Sequence, residues 1–228
     1  MIWINKIKRS KRFFPVEYQL YEVERLTDRN YQYLEKFLTI PEKKGKQYHS
    51  KNKKVFRNYL LGRIICKSLL SQKLNLDPHK ISILANQDGV PIVYTARLCT
   101  DIKVSISHSG NMIFVACVKE KNVGIDCQET KALLNNYNNE FMFTQLEINS
   151  IEKRKTALEK LKICTLIWSI KESFVKLQCE GFTKAPACTK IIELEESKVK
   201  IKDEDGKVHF LNYSYEFLNG YCLVSIKK

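Results

Sequence analysis

Apolar positions along this chain recur at two periods. From 52 to 73 the residues Val55, Phe56, Tyr59, Leu60, Ile64, Leu69 and Leu70 fall at helical spacing, which predicts one long helix ending before Asp77-Pro78. Alternating runs at 2–7 and 18–23 read as strands, 30–38 as a first helix, and Pro41 as the opening of a basic turn. Strands over 80–84 and 91–94 flank Asp88-Gly89, a turn signal. Three more strands are expected at 102–107, 112–118 and 122–127, and a second long helix runs through Trp168 to Gln178.

The order of these elements repeats. Phe141-Met142-Phe143-Thr144-Gln145-Leu146-Glu147, a basic stretch and the second long helix echo Phe37-Leu38-Thr39-Ile40-Pro41-Glu42-Lys43, its basic stretch and the first long helix. The expected fold is therefore α+β. Two similar halves, 1–105 and 106–228, would each pair a helix with a small antiparallel sheet, related by a pseudo-twofold axis with the active site in the cleft between them.

Composition narrows the class. Hydrophobic residues make up 44% of the 228 and aromatics 11%, ample for a packed core. The apolar runs, such as Met112 to Val118, fall far short of the roughly 20 residues of a membrane span. Met1 to Arg12 is basic, but no apolar segment with a cleavage site follows it, so a cytoplasmic protein that does not enter a membrane is expected. The 8 cysteines form no Cys-x-x-Cys pair, and Cys66, Cys117, Cys164 and Cys222 sit in apolar patterns as small hydrophobes. Structural zinc and disulfides are disfavoured, and 4 histidines without a metal-binding pair disfavour a zinc hydrolase. A net charge of +14 favours an anionic partner: nucleic acid, a phosphorylated cofactor or an acidic protein.

Candidate chemistry lies in three places. Trp168, Glu172 and Lys176 are spaced to share one helical face, which puts a proton acceptor beside an ammonium; a Glu to Lys pair at this spacing is also a common stabiliser of exposed helices. In Val123-Gly124-Ile125-Asp126-Cys127-Gln128 strand alternation turns Asp126 and Gln128 to one side, and Gly124 lets another backbone come close. With Glu172 these oxygens suit a magnesium ion that keeps several waters, although an acidic residue at a strand end also caps turns. Ser105-Ile106-Ser107-His108-Ser109-Gly110 supplies hydroxyl, imidazole and backbone donors for a phosphate if cations converge on it, and otherwise His108 is structural. Lys43, Lys44, Lys46 and Arg57 are the candidate cations.

Together, Pro41-Glu42-Lys43, Arg57 to Gly62, Ser105 to Gly110, Val123 to Asp126 and Trp168 to Lys176 stand in an order and at separations that identify a family. The chain resembles the 4′-phosphopantetheinyl transferases of the surfactin-synthetase-activating type over nearly its whole length. That resemblance implies magnesium-dependent transfer of the phosphopantetheine arm of coenzyme A to a serine of an acyl or peptidyl carrier protein, an acidic partner. Asp126 and Glu172, with Gln128, would ligand the metal; Glu172 would also act as base, and Lys176 would neutralise the leaving bisphosphate, with Lys171 nearby. Lys43, Lys46, Arg57, Ser107 and His108 would contact the cofactor's phosphates, and Gly89 and Pro91 its adenine-side loop. A monomer is expected by the same analogy.

Two positions depart from the family's pattern. Gln128 stands where many relatives carry a second acid, and Val90 where many carry the lysine of a Gly-Lys-Pro element. Two competing readings are a noncatalytic module that binds coenzyme A or a carrier protein, and a basic nucleic-acid-binding protein. Intact Glu172 and Lys176 speak against the first, and the absence of nucleic-acid-binding signatures against the second, so no nucleic acid is expected as a partner.

Overall fold

The computed structural model describes residues 4–6, 16–23, 26–45, 48–96, 98–133, 139–178 and 188–227. The chain divides into two compact units, Met1–Lys121 and Asn122–Lys228. The division falls after the strand pair Leu98–Ser109 and Met112–Lys119, and not at 105/106, because both strands are laced into the first sheet from Ile102↔Lys119 to Ser109↔Met112.

In unit 1, β1 (Ile4–Lys6) and β2 (Glu17–Val23) precede three helices, α1 (Asp28–Glu35), α2 (Ile40–Lys43) and α3 (Lys53–Leu74). β3 (Ile81–Ala85), β4 (Pro91–Thr95), β5 (Leu98–Ser109) and β6 (Met112–Lys119) complete an antiparallel sheet of order β1-β2-β6-β5-β4-β3. α3 starts where the Asn52 side chain accepts from the amides of Lys54 and Val55, and it ends at Asn75, whose left-handed φ of 51° closes the last turn. Leu60, Leu61, Ile65 and Leu70 bury against Ile81, Val93, Val104 and Val115 of the sheet. Pro41 does not open a turn as the sequence suggests; it lies in the first turn of α2, where its missing N–H costs nothing.

Unit 2 contains β7 (Val123–Glu129), α4 (Gln145–Glu152), α5 (Ala157–Gln178), β8 (Lys190–Leu194), β9 (Lys198–Lys202), β10 (Val208–Leu218) and β11 (Tyr221–Lys227). Its antiparallel sheet runs β7-β11-β10-β9-β8, the order of the first sheet without the extra edge strand β1. α5 packs Ile167, Ile170, Phe174 and Leu177 onto Ile201, Cys222, Val224 and Ile226.

Each unit taken by itself carries the same buried device, so the repeat holds at single-residue level. Glu42 caps its own helix, with Oε2 accepting from Thr39 N at 2.7 Å and from Lys67 Nζ at 2.6 Å, while Oε1 accepts from Ile83 N at 3.0 Å. Glu147 does the same with Thr144 N at 2.7 Å, Lys171 Nζ at 2.6 Å and Ile191 N at 2.8 Å. Each lysine also donates to a backbone carbonyl, Phe37 at 2.8 Å and Met142 at 2.9 Å. One carboxylate thus ties helix start, long helix and following strand together, and its burial is tolerated because its charge is paired and both oxygens are hydrogen-bonded.

Among the described residues no helix is long and apolar enough to cross a membrane. Cys66, Cys117, Cys127, Cys164 and Cys222 are buried, and burial pushes Cys117 up to about 11 and Cys164 up to about 12, which leaves these two thiols inert as nucleophiles.

Candidate active site

In unit 2 the placement of the acidic residues begins with Gly124. A Cβ built on it would stand 1.8 Å from the Ser173 carbonyl oxygen and 2.8 Å from Leu177 N, so only glycine lets the α5 backbone lie directly on β7. Asp126, two residues further along the strand, points to the same side as Gly124, and α5 places Glu172 and Lys176 beside it. Lys176 Nζ donates to Asp126 Oδ1 at 2.9 Å and lies 4.0 Å from Glu172 Oε2. Trp168, one turn before Glu172, packs edge-on against Phe143 with ring centroids 6.3 Å apart.

One ammonium therefore serves two carboxylates in a recess where the Asp126 side chain is 5% exposed and that of Glu172 12%. The electrostatic consequence falls on Glu172: burial pushes its carboxyl up to about 7, the Lys176 ammonium opposes this, and the neighbouring Asp126 carboxylate adds to it. Such a surplus of negative oxygen in a half-dry recess fits a hard divalent cation. Among the described residues no group of three or more His, Cys, Asp or Glu forms a cage, so the rest of the coordination would come from Gln128, substrate oxygens and water. Gln128 is half-buried, and its Nε2 donates to the Glu129 carbonyl at 3.2 Å, which occupies the amide nitrogen with the backbone.

Lys171 requires a correction. Adjacency to Glu172 suggests a cofactor contact, but the side chain is 0% exposed and held by Glu147 and the Met142 carbonyl. Burial pulls its pKa below the usual lysine range, and Glu147 opposes that shift. It is a core residue of unit 2.

In unit 1 the start of α3 organises the turn after β5. Arg57 Nη2 donates to the Val23 carbonyl at 3.0 Å and Nη1 to the Gly110 carbonyl at 3.3 Å, so this guanidinium braces the turn, where the sequence suggests a phosphate ligand. Its neighbour Asn58 meets His108, Nδ2 to Nδ1, at 3.1 Å. With Nδ1 accepting, the imidazole proton sits on Nε2, which makes that edge a donor suited to a phosphate oxygen. Ser107 is buried on β5 beside the exposed His108.

The expected adenine-side loop bounds a cavity of about 640 Å³ lined by Lys44, Gly45, Tyr59, Arg63, Asn86 and Gly89, among others. Gly89 has φ +83°, which a side chain would strain, and Pro91 begins β4. Lys43 is half-buried at the end of α2, and its neighbour Lys44 lines the cavity; Lys46 lies outside the described residues. Asn58 and Arg63 were not singled out by sequence, although Arg63 follows Tyr59 at the i, i+4 spacing that stacks a guanidinium on a ring.

Residues 122–224, which include the carboxylate pair and its lysine, match the model of the 4′-phosphopantetheinyl transferase superfamily. That segment, just under half of the chain, is similar to the 4′-phosphopantetheinyl transferase superfamily. Its relatives include the 4′-phosphopantetheinyl transferase Sfp of Bacillus subtilis (strain 168), 26% identical over 82% of each chain. A second 4′-phosphopantetheinyl transferase of Bacillus subtilis is 27% identical over 73% of this chain and 68% of its own length. The L-aminoadipate-semialdehyde dehydrogenase-phosphopantetheinyl transferase of Homo sapiens is 27% identical over 51% of this chain and 40% of its own. Asp126, Glu172 and Lys176 lie inside the matched segment, whereas His108 and the Gly89 cavity lie before it.

Proposed function

We propose that this transferase moves the 4′-phosphopantetheine moiety of coenzyme A, with Mg²⁺, onto a serine hydroxyl of an acyl or peptidyl carrier protein. The observation that carries this reading is the Asp126–Glu172 pair with Lys176 between its charges, inside the segment that matches the family. In this reading His108, Ser107, Lys43 and the Gly89–Pro91 loop would contact the coenzyme, and Asp126, Glu172 and Lys176 would supply metal and proton chemistry.

The reaction is a phosphoryl-type displacement. The serine oxygen forms a bond to the phosphorus next to the pantetheine arm, the bridging P–O bond breaks, and adenosine 3′,5′-bisphosphate leaves. In the metal-free site burial, with Asp126 adding to it, pushes the Glu172 carboxyl up to about 7; a bound cation would lower it again and leave Glu172 as the carboxylate that takes the serine proton, directly or through one water. Lys176, already oriented by its 2.9 Å bond to Asp126, neutralises charge on the departing phosphate. The metal, held by Asp126 and Glu172 with Gln128 or water, would offset charge on the pyrophosphate oxygens. The chain works in this reading as a cytoplasmic monomer.

The test is the intact mass of an apo carrier protein after incubation with the enzyme, coenzyme A and Mg²⁺. A gain of one phosphopantetheine is expected, lost with a chelator. Asp126→Ala and Glu172→Ala should each lower the rate by about 10²–10⁴ or more, and Gln128→Ala much less. No gain on acyl or peptidyl carriers, with coenzyme A still bound, would leave a noncatalytic binding protein; equal loss in all three variants would make Gln128 a full ligand.

A further inference from the structure

The two sheets correspond residue by residue. β5 turns into β6 across Gly110-Asn111, with Ser109 paired to Met112, and β10 turns into β11 across Asn219-Gly220, with Leu218 paired to Tyr221. The strand beside each hairpin is held in the same way: Val23 N donates to the Asn111 carbonyl at 2.9 Å, and Thr130 N to the Gly220 carbonyl at 2.9 Å. Back along each strand from those bonds, Glu22↔Met112 matches Glu129↔Tyr221, and Gln19↔Val115 matches Asp126↔Val224. Gln19 is therefore the counterpart of Asp126, and Tyr21 that of Gln128. The long helices share a register as well, because Lys67 and Lys171 each bind a capping glutamate, and this pairs Ser68 with Glu172 and Gln72 with Lys176. In unit 1 all of these positions are polar and uncharged.

Their side chains come together at one cavity. Tyr21 Oη donates to Gln19 Oε1 at 3.1 Å and has Ser68 as a second hydrogen-bonding neighbour. Tyr21, Ser68 and Gln72 line a space of about 360 Å³, whose apolar wall includes Leu34, Phe37, Ile64 and Pro78. The Phe37 ring is held from behind by stacking on His79, with centroids 5.4 Å apart. Among the described lining residues the charged one is Lys67, and its ammonium is engaged by Glu42 Oε2 at 2.6 Å and the Phe37 carbonyl at 2.8 Å.

Such a lining sorts ligands by charge. A cation would find no carboxylate among the described lining residues and an anion no uncommitted ammonium, so either would give up its hydration without a partner. A neutral group that both donates and accepts suits the hydroxyl of Ser68 and the amide of Gln72, which do the same. An apolar body suits the rest of the wall, and the volume lies in the ordinary range of small-molecule sites. We propose that unit 1 holds a second binding site, the uncharged counterpart of the carboxylate site, and that it takes a neutral, largely apolar small molecule whose amide- or hydroxyl-type end meets Ser68 and Gln72.

The experiment is methyl NMR of the full chain, labelled at isoleucine methyls and titrated with benzanilide, a neutral aromatic amide. A molecule of this size should bind with a Kd of about 0.1–1 mM. The methyls of Ile64 and Ile65 beside the cavity should shift, while those of Ile170 and Ile201 in the core of unit 2 should not. Its anionic analogue 4-carboxybenzanilide should bind at least about tenfold more weakly, since the carboxylate would be desolvated without a partner. Ile64→Trp, which fills the cavity, should abolish the shift at Ile65, with unchanged Ile170 and Ile201 signals reporting a folded protein. Gln72→Ala, at an exposed position that folding tolerates, should weaken benzanilide about three- to tenfold. No shift at Ile64 and Ile65, equal binding of the neutral and anionic compounds, or an undiminished Ile65 shift in Ile64→Trp overturns the site. Unchanged affinity in Gln72→Ala overturns the placement of the polar end, whether or not Ile64→Trp folds.

Discussion

Glu172 sits in a conflict that its neighbours only half resolve. Its carboxyl is pushed up to about 7 from 4.5, by burial first and by Asp126, with Lys176 opposing. The folded value lies above the unfolded one, so between pH of about 4.5 and about 7 the native state holds a proton that the unfolded chain has released. Stability of the metal-free protein from this group is therefore full at the acid end and is lost as pH rises through about 7. Chemical denaturation in chelator at steps across that range should show the wild type losing up to a few kcal/mol relative to Glu172→Gln, which cannot titrate. Parallel pH profiles for the two proteins would show that Glu172 is not perturbed as the geometry demands. At this scale the sequence made Asp126, Glu172 and Lys176 legible, because strand and helix periods place side chains on faces that spacing alone reveals. Their shared burial was not legible, since it depends on α5 lying against Gly124, a long-range packing event.

Lys171 shows at the scale of elements why adjacency misleads. One residue from Glu172 is about a quarter turn of helix, enough to move a side chain from the site's face into the core. The signal for its true role was nevertheless present in the chain: Thr39-x-x-Glu42 and Thr144-x-x-Glu147 are each followed by a lysine, 25 and 24 residues after the glutamate. A capping box predicts a helix start from sequence, but a glutamate that caps and also accepts a buried ammonium is visible only when the long helix folds back over it. Truncating that ammonium leaves Glu147 charged and dry. Lys171→Met should cost about 3–5 kcal/mol in denaturant unfolding, and Lys67→Met a similar amount in unit 1. A Lys171→Met protein as stable as the wild type would reopen a role for this lysine at the coenzyme. The long helices were read correctly in place because α3 and α5 are strongly periodic. The short α2 was not, because four residues offer no period and the Pro signal is shared by turns and helix starts.

The whole molecule reads as one scaffold used twice, with the carboxylate pair and its lysine in the second copy. Aligning Lys67 with Lys171 sets Ser68 against Glu172 and Gln72 against Lys176, so the face of α3 that corresponds to the acid–base face of α5 has lost both charges. In unit 1 that face lines an apolar cavity of about 360 Å³ with Tyr21 and Ile64, while the cations gather around Arg63 and the Gly89 loop. The repeat itself was legible from the sequence, including the echo of Thr39 to Glu42 by Thr144 to Glu147. Its boundary was not, because the pairing of β5 with β6 carries the first sheet on to Lys119. The net charge of +14 belongs to this scale, because it would act on an acidic carrier protein as a long-range field and not through any one contact. Raising salt from about 0.1 M to about 1 M shortens the screening length from roughly 10 Å to roughly 3 Å, which removes steering but leaves packing intact. At saturating coenzyme A, kcat/KM for an acidic carrier should therefore fall about tenfold or more over that range through KM, with kcat and the melting temperature little changed. A fall confined to kcat would locate the salt effect in the chemical step, and a flat profile would mean that the positive surface does not attract the carrier.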